Sequence, residues 1–413
     1  MWQTDLIVFN YLDIMKNNFN VFVASSAFSL LGIEIYHITL PLLALSLNLD
    51  PVQISWCVFA FYCPVIFIKI ISSPFIEKSN KINVLKCSEC GRILCLALFI
   101  LLLTLSRDAS FLWIMSVSLA YGVFTVFTEV AEPVVINGLI QGHASTSALS
   151  TYEIRTRAVQ LVAPALCGYL ISVNVFFPYS VNLLFSLLAV LLLFLIRIDV
   201  PQTAGPVHSS MGADIQQAFR WLRDNKLFTV IVALTALNNF LHPILYLTVI
   251  WGLKAQNTAF EITGLVLSGL GAGGLIGSFI SRKVINILSL RQLVLFVNLA
   301  RVLVFFGFLV FTDPVSIFVL FVFKAIMGGI WNVSYNVFTL QEMPLKLAAR
   351  ISAVSGTLVK ISAGVGSLVA GYSLGFMGAE LTLVILAVLT LFMLSGSFVY
   401  KKEYGKYHEQ KAL

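Results

Sequence analysis

From Phe19 onward the chain is a succession of long apolar stretches, broken only by short polar clusters. Each stretch approaches or exceeds the roughly 20 residues that a helix needs to cross the hydrocarbon core of a bilayer. Twelve can be delimited, over 19–47, 52–76, 84–105, 110–140, 147–173, 176–197, 226–253, 260–281, 290–311, 314–339, 347–376 and 378–400. Only helices or closed barrels satisfy their backbone groups inside lipid, and runs of this length are helical. The pattern therefore predicts an all-α membrane protein of twelve transmembrane helices. The first run follows a polar start and exceeds a signal-peptide core of roughly 7–15 residues. No small-residue cleavage site precedes the second run, so the first is expected to stay as a helix.

Composition narrows the function. Hydrophobic residues make up 59% and charged residues 11%, with a mean hydropathy of +0.94. Such values exclude a soluble domain. The loops are too short for a separate catalytic domain, and neither HExxH, GxSxG nor a Gly-rich phosphate loop occurs. An enzyme is not expected, nor ATP as a source of drive, nor a cofactor, nor a metal. Cys87 and Cys90 form a lone C-x-x-C without a second pair, and helix packing is the simpler reading for all six cysteines.

Basic residues set the expected orientation. With the N-terminus in the cytoplasm, twenty of the 26 lysines and arginines fall on the cytoplasmic side, among them Lys78, Lys81, Lys86, Arg92, Arg155, Arg282 and Lys283. Arg107 and Lys254 fall outside, while Lys69, Arg301, Lys324 and Lys360 lie within spans. Positive residues resist translocation, so both termini are expected to be cytoplasmic. The pI of 9.1 is then an orientation signal and carries no nucleic-acid inference.

The longest loop divides the chain into residues 1–197, a linker over 198–225 and residues 226–413. The linker holds PQTAGP and then MGADIQQAFRWLRDN, a short amphipathic helix suited to the membrane surface. The halves echo each other. SPFIEK from Ser73 matches GSFISR from Gly277, 204 residues later, and APALCGYL from Ala163 matches GSLVAGYS from Gly366, 203 residues later. Repeats on this scale are typical of secondary transporters, which hold cargo between the halves and rock them.

The charged turn SSPFIEKSNKINVLKCSECGR after the second run resembles the loop G-x-L-a-D-R-x-x-R-R of the major facilitator superfamily. Ser73 stands for its glycine, Glu77 for its acid, and Lys78 and Lys81 for basic positions; Arg282 repeats the basic part in the second half, where Ser281 replaces the acid. VAPALCGYLI, with Pro164 and Gly168, is similar to the Gly-Pro-x-x-Gly-Gly signature of that superfamily's exporters, Ala163 and Cys167 replacing two glycines. LQEMPLKLAARISAV from Leu340 resembles the loop after span ten in the enterobactin-exporter and macrolide-efflux branch. The resemblance implies a monomeric proton antiporter of the bacterial inner membrane, working by alternating access. Its partners are then protons, the bilayer and a small molecule such as a siderophore or a drug. Uptake by the same fold is the alternative.

Ionisable groups within spans cost several kcal/mol, roughly 2.5–3.5 on insertion scales, and so need a reason. In the first half they are Glu34, His37, Lys69, Glu129 and Glu132. In the second they are His242, Arg301, Lys324 and Lys360, with the polar Asn238 and Asn239 beside them. The resemblance places spans one, four, seven and ten around the cavity, and the offset of 204 pairs Glu34 with Asn238 and Glu132 with Asn336. Glu34 and His37 share a helix face, as do Glu129 and Glu132. Lys324, Gly328, Trp331 and Tyr335 form one stripe, with a cation, a gap and two aromatics. The distribution sets acids in the first half and cations in the second. Proton coupling is therefore expected at Glu34, His37, Glu129 and Glu132. Binding of an anionic, siderophore-like carboxylate is expected at Lys324, Trp331, Tyr335, Asn238, His242, Arg301 and Lys360. The plainer alternative is pairing across helices, as of Lys69 with Glu129 or of Lys324 with Glu34 or Glu132, with Trp331 and Tyr335 as packing.

Overall fold

The structure, a computed structural model, describes residues 2–105, 111–140, 145–196, 211–344 and 347–399. Within the helices, the side chains of Lys69, Glu77 and Lys78 also lie outside the described residues, and with them the pairing of Lys69 and the acid of the charged turn. Its elements are α1 (Trp2–Ser46), α2 (Pro51–Lys78), α3 (Lys81–Leu105), α4 (Phe111–Ile140), α5 (Ser145–Val173) and α6 (Phe177–Leu195). They continue with α7 (Met211–Asp224), α8 (Lys226–Ala255), α9 (Phe260–Ile287), α10 (Leu290–Val310), α11 (Pro314–Glu342) and α12 (Ala348–Val399). Among the described residues nine helices are long and apolar enough to cross a membrane, and α2 and α5 carry shorter apolar stretches, Pro51–Val65 and Val162–Ile171. The protein is all-helical and multi-pass.

Local chemistry explains where helices start and stop. Ser289 and Gln292 form a reciprocal capping box at the start of α10. Asp313 caps α11 by accepting from the Ser316 amide at 2.9 Å, with Pro314 at the first helical position. That bond to the charged form holds the exposed Asp313 carboxyl below its usual value. In α12, Gly378 has φ +76, a left-handed conformation that breaks the helix one residue beyond the predicted gap at 377. At the other end, α1 begins at Trp2, well before the predicted start at 19. The polar residues ahead of the first apolar run are thus helical.

The chain forms two compact units. One comprises Met1–Asn48 and Ala60–Gly205, the other Leu49–Phe59 and Pro206–Leu413. In the first, α1 packs on α5 and α6, and α3 packs on α4 and α6. Its core is aromatic: Tyr36 stacks on Tyr121 at 4.1 Å between centroids, and its hydroxyl lies 2.9 Å from Ser118 Oγ. In the second unit α9 packs on α11, and α12 packs on α8 and α10. The first turns of α2 belong there too, Gly371 of α12 lying against the Pro51 carbonyl and Ser55. Helix α7 has the predicted amphipathic character. Ala218 and Leu222 are buried, Gln216 and Arg220 are exposed, and Gln217 Oε1 accepts from Arg350 at 2.7 Å.

The surface confirms the solvent. Leu94, Phe279, Phe376 and Phe392 point outward, while Arg92 is wholly buried. That is the pattern of helices that turn apolar side chains to lipid and enclose an ionisable one within the bundle.

Close helix approach in the second unit depends on glycine. Gly269, Gly273 and Gly277 of α9, each four residues apart, face Phe318, Val322 and Ile326 of α11. With little hydrophobic drive between helices in lipid, such small residues allow the backbone packing that holds them together. A Cβ on Gly277 would fall on the Ile326 carbonyl. Gly277→Val is expected to cost about 1–3 kcal/mol or more, the range for overpacking, seen as a lower thermal midpoint in detergent. A midpoint equal to that of the unmodified protein would mean that α9 and α11 can part without loss.

Candidate functional site

In the first unit the predicted residues fall into two groups. His37 Nε2 of α1 lies 2.6 Å from the hydroxyl of Tyr62 on α2. Tyr62 is also within electrostatic reach of Glu34 and Glu129, and Glu34 in turn of Cys167 on α5. Tyr62 thus bonds the imidazole of α1 and lies within electrostatic reach of acids on α1 and α4, all of them half-buried or more deeply set. A phenol bonded to an imidazole can pass a proton by exchanging donor and acceptor roles.

Glu132 belongs elsewhere. Its Oε1 accepts from Arg155 Nη2 of α5 at 2.6 Å and from the Tyr152 hydroxyl at 2.7 Å. Arg155 Nη1 donates to the Ser26 carbonyl of α1 at 3.0 Å, and its guanidinium lies over the Tyr152 ring at 4.2 Å. The shared face of Glu129 and Glu132 therefore splits into two environments.

In the second unit, Lys324 Nζ of α11 lies 2.9 Å from His242 Nδ1 of α8. When the ammonium donates, the imidazole accepts at Nδ1 and carries its hydrogen on Nε2. Arg301 of α10 acts on Lys324 electrostatically. It bonds Asn298 Oδ1, whose Nδ2 donates to Ser397 Oγ of α12 at 2.7 Å. Among the described residues neither Lys324 nor Arg301 forms an ion pair with a carboxylate. Trp331 is buried, its Nε1 donating to Thr235 Oγ1 at 3.1 Å. Tyr335 is half-buried beside Ser355. Asn238 and Lys360 are half-buried too, and Asn239 Nδ2 donates to the Thr235 carbonyl at 2.9 Å. Of the predicted conformational residues, Pro164, Gly168 and Lys81 are buried and Arg282 is exposed.

Several expectations are corrected. The first unit holds buried cations as well as acids. Arg92 is fully enclosed and paired with Glu89, and Arg155 is paired with Glu132, so the division into an acidic and a cationic half fails. The charge count placed both arginines on the cytoplasmic side without assigning either a partner. They are inside because each has a carboxylate at hand, three residues away on α3 or across from α4. Within their own units Glu132 is held by Arg155 and Lys324 by His242. Asn336, paired with Glu132 by the repeat, is exposed where Glu132 is largely covered. Sequence reading missed Glu89, and with it the pairing that encloses Arg92. The available signal was an acid and a base one turn apart at the head of an apolar run, a spacing that lets them neutralise each other.

The sequence matches the family model described as Major Facilitator Superfamily over residues 22–367. The fold is similar to the solved nucleoside transporter NupG, with a TM-score of 0.73 and 14% identity, over 93% of this chain and 100% of that one. It is similar to a D-xylose-proton symporter, with a TM-score of 0.74 and 11% identity, over 94% of this chain and 98% of that one. It is also similar to the human organic anion transporter MFSD10, with a TM-score of 0.61 and 11% identity, over 93% and 99%. At such identities the likeness concerns the fold alone. No curated protein matches the chain by sequence.

Proposed function

Because the chain belongs to the major facilitator superfamily, we propose that it is a secondary transporter that exports a small anionic molecule across the bacterial inner membrane in exchange for protons. The observation that supports an anionic cargo is the cationic group of the second unit. Lys324 and Arg301, with His242 beside them, stand within membrane helices without a carboxylate ion pair among the described residues. A buried positive pair in this state favours an incoming negative charge, and siderophore-like carboxylates and acidic drugs carry one. The working parts are two six-helix halves, 1–197 and 226–413, joined by a cytoplasmic linker over 198–225. The basic excess supports cytoplasmic termini, and VAPALCGYLI supports export.

Proton coupling is assigned to Glu34, His37 and Glu129 around Tyr62, while Glu132 serves structure through Arg155. In inverted vesicles with an acidic interior, gradient-driven accumulation of a carboxylate-bearing cargo is expected, and its collapse with an uncoupler. Accumulation that ignores the gradient would remove the antiport reading. Glu34→Gln should abolish uphill accumulation yet preserve downhill exchange of cargo, because shape and polarity survive while the titrating group does not. Retention of full uphill transport by that variant would move the coupling group elsewhere.

A further inference from the structure

The packing expected of all six cysteines fits Cys57, Cys95 and Cys167, which are buried. It fails for Cys87 and Cys90 of α3, which are both exposed. Three residues apart on one helix, they share a face, with Cβ atoms about 5–6 Å apart. The opposite face of the same turns is closed. Ser88, Glu89 and Arg92 are buried there, and Glu89 is held by Arg92. The two thiols therefore point out of the first unit, side by side.

Their place along α3 adds a second observation. The outward face runs through Asn83, Cys87, Cys90, Leu94, Leu98 and Leu101, all of them exposed. It turns from polar to apolar just past Cys90, which sets the thiols where headgroups give way to hydrocarbon. Lys86 stands one residue before Cys87 and four before Cys90, its ammonium 4.5 Å from the centroid of the Phe194 ring on α6. The charged turn ahead of α3 is expected in the cytoplasm, where thiols stay reduced.

We propose that Cys87 and Cys90 form a two-coordinate site for the soft monovalent cation Cu⁺ at the water–lipid boundary of α3.

Thiolates are soft donors and select soft ions. The number of donors decides among those ions. No group of three or more His, Cys, Asp or Glu that could hold a metal occurs among the described residues, whereas Zn²⁺ is held by three or four protein ligands. Glu89, the acid between the two thiols in sequence, faces the core and is engaged by Arg92. Cu⁺ has a filled d shell and accepts two sulfurs placed on opposite sides of it. On binding, two S–H bonds break and two S–Cu bonds form; both protons go to solvent and no electron is transferred. The complex then carries a single negative charge, and the Lys86 ammonium is at hand to balance it.

The test uses the full chain purified in detergent without oxygen and titrated against the coloured complex of Cu⁺ with bicinchoninate. The parent protein is expected to withdraw one Cu⁺ per chain, read as loss of colour. Cys87→Ser and Cys90→Ser should each weaken uptake about tenfold or more, because a single thiolate remains. The double variant keeps the four other cysteines and should withdraw none. Its thermal midpoint should equal the parent's, since both changed side chains face outward; if it does not fold, Cys90→Ser alone carries the test. Zn²⁺ in excess should leave Cu⁺ uptake unchanged. A parent that withdraws no Cu⁺, or variants that withdraw as much as the parent, overturn the proposal. So do displacement by Zn²⁺ and a ratio of one Cu⁺ to two chains, which places the ion between copies. The assay reads no transport, so its failure leaves the antiport reading standing.

Discussion

Arg155→Gln is expected to lower stability by about 3–5 kcal/mol, the cost of breaking a buried ion pair by removing one partner. Arg155 ties three helices together: Nη2 to Glu132 of α4, Nη1 to the Ser26 carbonyl of α1, and both from its own place on α5. Its loss leaves Glu132, a carboxylate that is 13% exposed in a membrane helix, with the Tyr152 hydroxyl as its remaining donor among the described residues. The unpaired charge, rather than the vanished attraction, supplies most of the penalty. Glu132→Gln in the same background should therefore restore most of the loss, since both charges are then gone and the amides can bond each other. Equilibrium unfolding of the two single variants and the double variant, read as a cycle, gives the coupling. A coupling near zero would mean that the pair is solvated in the membrane protein and ties nothing. The same cycle distinguishes structure from proton coupling at Glu132, for a coupling residue would lose uphill transport in the double variant even after stability returns.

The spans were legible in the sequence because a membrane helix must be apolar over its whole length, so run length alone marks it. Gly378 sits one residue past the predicted break, and α7 appears where the one amphipathic segment was placed. The start of α1 was not legible, because a polar sequence before an apolar run leaves both helix and coil open. Lys324, His242, Glu34 and Glu132 are conspicuous in apolar surroundings, which is what nominated them. Their partners were not legible. Lys324 and His242 are 82 residues apart and Glu132 and Arg155 are 23 apart, and no spacing rule reaches across helices. Arg92 and Arg155 misled for a physical reason. Both lie near the end of a predicted span, where a basic residue ordinarily faces lipid headgroups, and only packing shows that these two turn inward. Arg282 is exposed and Lys86 half-buried, whereas Arg92 and Arg155 are enclosed with their own counter-charges.

Lys324→Ala is expected to weaken binding of an anionic cargo at least tenfold, about 1.4 kcal/mol, while the protein still inserts and folds. Lys324 lies ten residues after Pro314, the first residue of α11. At 1.5 Å per residue that is about half of a hydrocarbon core roughly 30 Å thick. A lysine at that depth cannot reach either surface with its stem, so its charge must be met locally. What meets it is a neutral acceptor, His242 Nδ1, with a second cation, Arg301, in electrostatic range. An imidazole accepts one hydrogen bond but supplies no negative charge, and among the described residues neither cation forms an ion pair with a carboxylate. A carboxylate arriving there would gain from both. Lys324→Arg should keep part of the affinity, because the charge persists while the planar fork no longer fits one imidazole nitrogen. The rival account makes Lys324 a packing group that positions His242. It predicts that Lys324→Met, which fills the same space without the charge, binds cargo as the parent protein does. Near-parent affinity in Lys324→Met would sink the charge argument, and equal weakening in Lys324→Met and Lys324→Ala, with stability intact, would carry it.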